Sequence, residues 1–136
     1  MCGMLFFGNN LKKILSDSHL LGEWGQKQCE KFYKAKGCKV LARNFLCRSG
    51  EIDLIIGQAD GTVVFVEVKT RSNEIFADAE SAITLAKKKR MTKAANLFVK
   101  KYELDSSPFR FDVVIVRPDE KGKAEIRHYE SAFTPC

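Results

Sequence analysis

The stretch that most constrains this chain is residues 50–71, where two apolar runs flank Asp60 and Gly61. Short β-rich runs on either side of a glycine turn read as a β-hairpin, with strands at 51–57 and 62–70. Charge interrupts both runs: Asp53 stands between Ile52 and Leu54, and Glu67 between Val66 and Val68, with Lys69 next. Half-buried strands keep charge off the buried face. Three ionisable groups in such runs are therefore either paired with one another or gathered for a metal ion. Alternation puts Glu67 and Lys69 on one face of their strand, and Glu51 and Asp53 on one face of theirs. A two-residue loop would set Asp53 opposite Val68. A three-residue loop over 59–61 instead pairs Gln58 with Thr62, sets Asp53 opposite Glu67 and Glu51 opposite Lys69, and ends on Gly61, where a left-handed residue is needed. Two carboxylates facing each other repel unless a cation lies between them.

With 136 residues the chain is long enough for one domain with a real core. We expect an extension over 1–20 and a single domain over 21–136. Lys and Arg outnumber Asp and Glu by 23 to 17, a net charge of +6 that suits a polyanionic partner. The five cysteines form no Cys-x-x-Cys pair, and their spacing matches no zinc pattern. An odd count without a framework fits reduced thiols, hence a cytoplasmic protein. No run approaches the ~20 apolar residues of a membrane span. No membrane partner is expected.

Periodicity supplies the remaining elements. A helix from about Trp24 to Lys36 carries an apolar stripe of Cys29, Phe32 and Tyr33 and stops at Gly37. A strand follows over Lys39 to Phe45, then the hairpin. A second helix, from about Ala79 to Tyr102, presents Ile83, Met91, Ala94, Ala95, Phe98 and Tyr102 on one face. Counting back from Met91, Lys87 continues that inward stripe. Most other positions from Lys88 to Lys101 are basic, and no acid occurs among them; this is either a solvated face or a phosphate-contacting one. Strands over Phe109 to Val116 and Ala124 to Tyr129 close the chain. Alternating helices and strands of this kind describe one α/β domain with a mixed sheet. No glycine-rich phosphate loop appears, so nucleoside triphosphate binding has no support.

Asp53, Glu67 and Lys69 make chemical sense as a phosphodiesterase site. Two carboxylates suffice for Mg²⁺, which keeps most of its waters. The metal acidifies a bound water and neutralises charge on the phosphate, while an ammonium supports the transition state. A surface ladder of Glu–Lys ion pairs along the hairpin is the rival explanation of the same residues.

Several pieces in order carry a resemblance: Ala42-Arg43-Asn44, the run from Gly50 to Ile55, the run from Val64 to Arg71, Lys87, and the run from Arg110 to Val114. On these, residues 21–133 resemble the bacterial YraN-like family, small proteins regarded as endonucleases akin to archaeal Holliday junction resolvases. The resemblance implies membership of the PD-(D/E)XK nuclease superfamily. It implies a restriction-endonuclease-like fold, a mixed β-sheet flanked by α-helices in the order α-β-β-β-α-β-β. It makes Asp53 and Glu67 ligands for Mg²⁺ or Mn²⁺ and Lys69 the catalytic lysine, with Glu51 and Gln26 completing the candidate catalytic set. Gln26 stands where the family has a glutamate, and an amide brings no charge and cannot act as a base. Arg43, Arg71, Lys87, Lys88 and Arg90 are the candidate nucleic-acid contacts, or else salt-bridge partners; Arg110 has the same two readings, with Asp112 the obvious mate for a buried arginine. The expected function is hydrolysis of phosphodiester bonds in DNA, branched DNA included, by a homodimer if the substrate is a junction. The alternative is a nuclease-fold protein that binds nucleic acid with little or no catalysis.

Overall fold

The computed structural model describes residues 12–72 and 83–136. Its elements are helix α1 (Ser18–Ala35), strands β1 (Lys39–Cys47), β2 (Gly50–Gly57) and β3 (Val63–Thr70), helix α2 (Leu85–Lys101), and strands β4 (Phe109–Pro118) and β5 (Ala124–Phe133). The strands form one sheet in sequential order. All neighbours are antiparallel except β3 and β4, which run parallel. Parallel neighbours need a crossover, and the connection containing α2 supplies it.

Helix α1 begins at Ser18 rather than near Trp24. Asp17 caps it, its carboxylate accepting from the backbone N–H of His19 and Leu20. Gly22 and Gly25 weaken the periodic signal over this first half, which hid it in the sequence. At the other end Gly37 takes φ 83°, and Gly37 and Cys38 donate back to Lys34 and Tyr33. Helix α2 starts at Leu85, where the Thr84 hydroxyl accepts from Lys87 N–H. The expected start near Ala79 falls outside the described residues, but Ile83 and Thr84 lie before the helix.

The sheet separates two apolar layers. Toward α1 lie Leu54, Ile56, Val64, Val66, Val114 and Val116, packed on Cys29 and Tyr33. Toward α2 lie Ile52, Ile55, Phe65, Phe111, Val113 and Ile115, packed on Met91, Ala94, Ala95 and Phe98. Ile83 joins that layer from just outside the helix. Each large side chain buried this way contributes about 1.5–3 kcal/mol, and the two layers together hold both helices against the sheet. β5 continues past Tyr129 to Phe133, whose ring stacks on Phe111 with centroids 4.6 Å apart.

The β2–β3 register is the one the loop argument requires. Gly57 pairs with Val63 and Leu54 with Val66, Gln58 N–H donates to Thr62 O at 2.9 Å, and Gly61 takes φ 91°. No helix among the described residues is long and apolar enough to cross a membrane.

Candidate active site

The β2–β3 ladder stops at Leu54 and Val66, one residue short of Asp53 and Glu67. In place of a further backbone pair, Val68 N–H donates to Asp53 Oδ2 at 2.8 Å. The strands therefore part at the acids, and the Asp53 carboxylate occupies the opening.

Glu67 is only 4% exposed. Its pKa is raised, first by burial and then by the neighbouring Asp53 carboxyl; Lys87 and Lys69 pull in the opposite direction. Glu67 Oε2 is buried and accepts no hydrogen bond. Lys87 Nζ is 3.4 Å from it, an ion pair without hydrogen-bond geometry. Neighbouring carboxylates repel one another unless a cation offsets their charge. An orphaned buried oxygen on a hard donor pair fits Mg²⁺ or Mn²⁺. No group of three or more His, Cys, Asp or Glu side chains suited to a metal exists among the described residues.

A cleft of about 1030 Å³ lies over Asp53, between α1 and the strands. Gln26, Glu51, Lys69, Arg43 and Asn44 line it together with Asp53. The helix is held close to the site by Gly25, where a Cβ would fall 2.1 Å from Thr70 Oγ1. Gly25 precedes Gln26 and Thr70 follows Lys69, so this contact sets the spacing of the amide and the ammonium.

The candidate nucleic-acid contacts separate. Arg43 binds Glu30 of α1 with Nε at 3.0 Å and with Nη2, and burial does not isolate it from solvent. Arg71 donates to Thr70 O at 3.2 Å. Lys87 turns inward to Glu67, as its place on the apolar stripe required. Lys88 lies over the Phe133 ring at 5.7 Å. Arg90 is exposed and packs by its Cβ beside Gly50. Lys87, Lys88 and Arg90 thus come from α2, across the sheet from the α1 layer, and none of the three lines the cleft.

Residues 25–116 match the model of uncharacterised protein family UPF0102. This chain belongs to that family. A UPF0102 protein of Symbiobacterium thermophilum is 40% identical over 116 residues, covering 85% of this chain and 98% of its own. One of Hahella chejuensis is 41% identical over 103 residues, covering 76% and 82%. Among solved structures, Pyrococcus furiosus SfsA in complex with Ca²⁺ is similar with a TM-score of 0.42 at 15% identity, over 84% of this chain and 64% of that one. That likeness is too slight to bear on fold or chemistry.

The UPF0102 chain also holds one feature that pattern reading missed and another of which it reached only the Arg110–Asp112 pair. Asn44 has φ 48°, a left-handed backbone, at the cleft wall. Asn is among the few non-glycine residues that tolerate it, which is the one signal the sequence offered. The second is a hub at the opposite end of α1. Asp112 is fully buried and accepts from Tyr33 Oη at 2.8 Å, Arg110 Nε at 2.9 Å and Ser131 N–H at 3.0 Å, with His128 Nε2 at 2.7 Å. Burial works against its ionisation, but the bonds from His128, Arg110, Ser131 and Tyr33 outweigh it and hold the carboxyl at about 2. This hub ties α1, β4 and β5 together.

Proposed function

We propose that this UPF0102 protein is a metal-dependent phosphodiester hydrolase acting on DNA, built on a PD-(D/E)XK, restriction-endonuclease-like fold. The observation that carries the reading is the Asp53–Glu67 pair, set where the hairpin strands part, with one buried carboxylate oxygen lacking a hydrogen bond. Asp53 and Glu67 would hold Mg²⁺ or Mn²⁺. When bound, the metal supplies an acidified water and charge neutralisation at the phosphate. Lys69 lines the cleft with Asp53, while Glu67 lies buried beside it, and Lys69 would orient the attacking water or stabilise the phosphorane-like transition state. Lys87 balances the second acid from beneath. The cleft is of the size that ligand sites occupy, and the +6 net charge favours a polyanion.

A second reading has one observation in its favour. Gln26 places an amide, not a third acid, in the cleft, so a protein that binds nucleic acid without cutting it would look the same here. Isothermal titration with Mn²⁺ tests the metal site directly. Wild type should release or absorb heat with a single-site isotherm, and Asp53→Asn should give none. Equal heats, or none in either protein, would remove the site.

A further inference from the structure

The edge strand β1 and its neighbour β2 lose their alternation at the same cross-strand pair. In β2, Ile52 enters the α2-side layer and Leu54 the α1-side layer, although a single residue separates them and alternation would put both on one face. In β1, Ala42 and Phe45 both enter the α2-side layer with two residues between them. Arg43 pairs with Leu54 and Phe45 with Ile52, which leaves Asn44 opposite Asp53. The two slips compensate, so the pairing register is kept on either side. Their combined effect is to deliver both Asn44 and Asp53 to the cleft.

The conformation alone does not call for asparagine. At φ 48° glycine would hold the same backbone at no steric cost. Asparagine adds a carboxamide, and this one is exposed, lines the cleft, and makes no hydrogen bond among the described residues. Directly opposed residues on antiparallel strands stand about 5 Å apart at Cβ. An amide N–H at that range from Asp53 is a neutral donor beside the acid, suited to a phosphate oxygen that the acid itself would repel.

We infer that Asn44 is a substrate-binding residue. Its Nδ2–H donates to a non-bridging phosphate oxygen of the strand held in the cleft and keeps that phosphate against Asp53. This rests on the nucleic-acid reading of the site. It makes the β1 wall, rather than the basic face of α2, the surface that aligns the cut strand.

The test separates backbone from amide. Asn44→Gly keeps the left-handed backbone and removes the carboxamide; Asn44→Asp keeps the shape and removes the donor. Binding of a fluorescent DNA oligonucleotide would be followed by anisotropy at low salt with Ca²⁺, alongside a thermal melt. Asn44→Gly should melt at or above the wild-type temperature yet bind about tenfold or more weakly, the loss expected for a hydrogen bond to a charged group. Asn44→Asp should weaken binding at least as much. If wild type binds and Asn44→Gly binds within twofold of it, the inference fails while the nucleic-acid reading stands. If wild type binds no DNA, both fail.

Discussion

Gly25 offers a prediction whose sign distinguishes two physical accounts. It sits in the buried face of α1, and a Cβ there would meet Thr70 Oγ1 at 2.1 Å, Cγ2 at 2.8 Å and Cβ at 3.0 Å. Helix propensity alone makes Gly25→Ala stabilising by about 1 kcal/mol. Overpacking makes it destabilising by about 1–3 kcal/mol. Turning the Thr70 side chain gives little relief, because both γ atoms are already too close and its Cβ is fixed to the strand. Helix and strand must separate, which places the cost in the upper part of that range. The net expectation is a loss of about 1–2 kcal/mol, and a melting temperature lower by roughly 3–8 °C for a chain of this size. Urea unfolding of Gly25→Ala, Thr70→Ala and the double variant would measure it, with the transition midpoint read at constant slope. Because the two residues touch, the double variant should recover about 1 kcal/mol relative to the sum of the single losses. A Gly25→Ala protein more stable than wild type, or strict additivity with Thr70→Ala, would refute the close approach and with it the helix position that defines the cleft.

Two other outcomes follow from buried charge. Asp53→Asn should raise the stability of the metal-free protein by about 1 kcal/mol in thermal melts, since it ends the contact between two carboxyls while its amide oxygen can still accept from Val68 N–H. Asp112 has its folded pKa near 2 against an ordinary 3.8, so its contribution is fully present above about pH 4 and is lost as pH falls toward 2. That amounts to about 2 kcal/mol. Acid unfolding of wild type and Asp112→Asn should show the variant less stable at pH 6, with the gap closing below pH 4.

The sequence carried local geometry well and long-range contact poorly. The hairpin register was legible because turn length and Gly61 fix which residues face each other, and Gly57 does pair with Val63. Lys87 was legible too: its place on an apolar stripe required it to turn inward, and it meets Glu67 there. The start of α1 was not, because Gly22 and Gly25 dilute the helical signal and only Asp17 marks the cap. Alternation also misled near the site. It assumes an unbroken pleat, and the slips at Asn44 and Asp53 depend on two strands deviating together. The Asp112 hub joins Tyr33, Arg110, His128 and Ser131 across three elements, a convergence that no single periodic pattern encodes. The basic run of α2 was visible as charge, but its position across the sheet from the cleft required the topology.

The central claim is that the Asp53–Glu67 pair hydrolyses DNA with a divalent cation. Its most direct test is cleavage of a panel of linear, flapped and four-way DNA with Mn²⁺, comparing wild type with Asp53→Asn and Lys69→Met. The account predicts cutting of at least one substrate by wild type, none without metal, and none by either variant. Cutting that persists in Asp53→Asn, or binding of every substrate by wild type with no product from any, would contradict it.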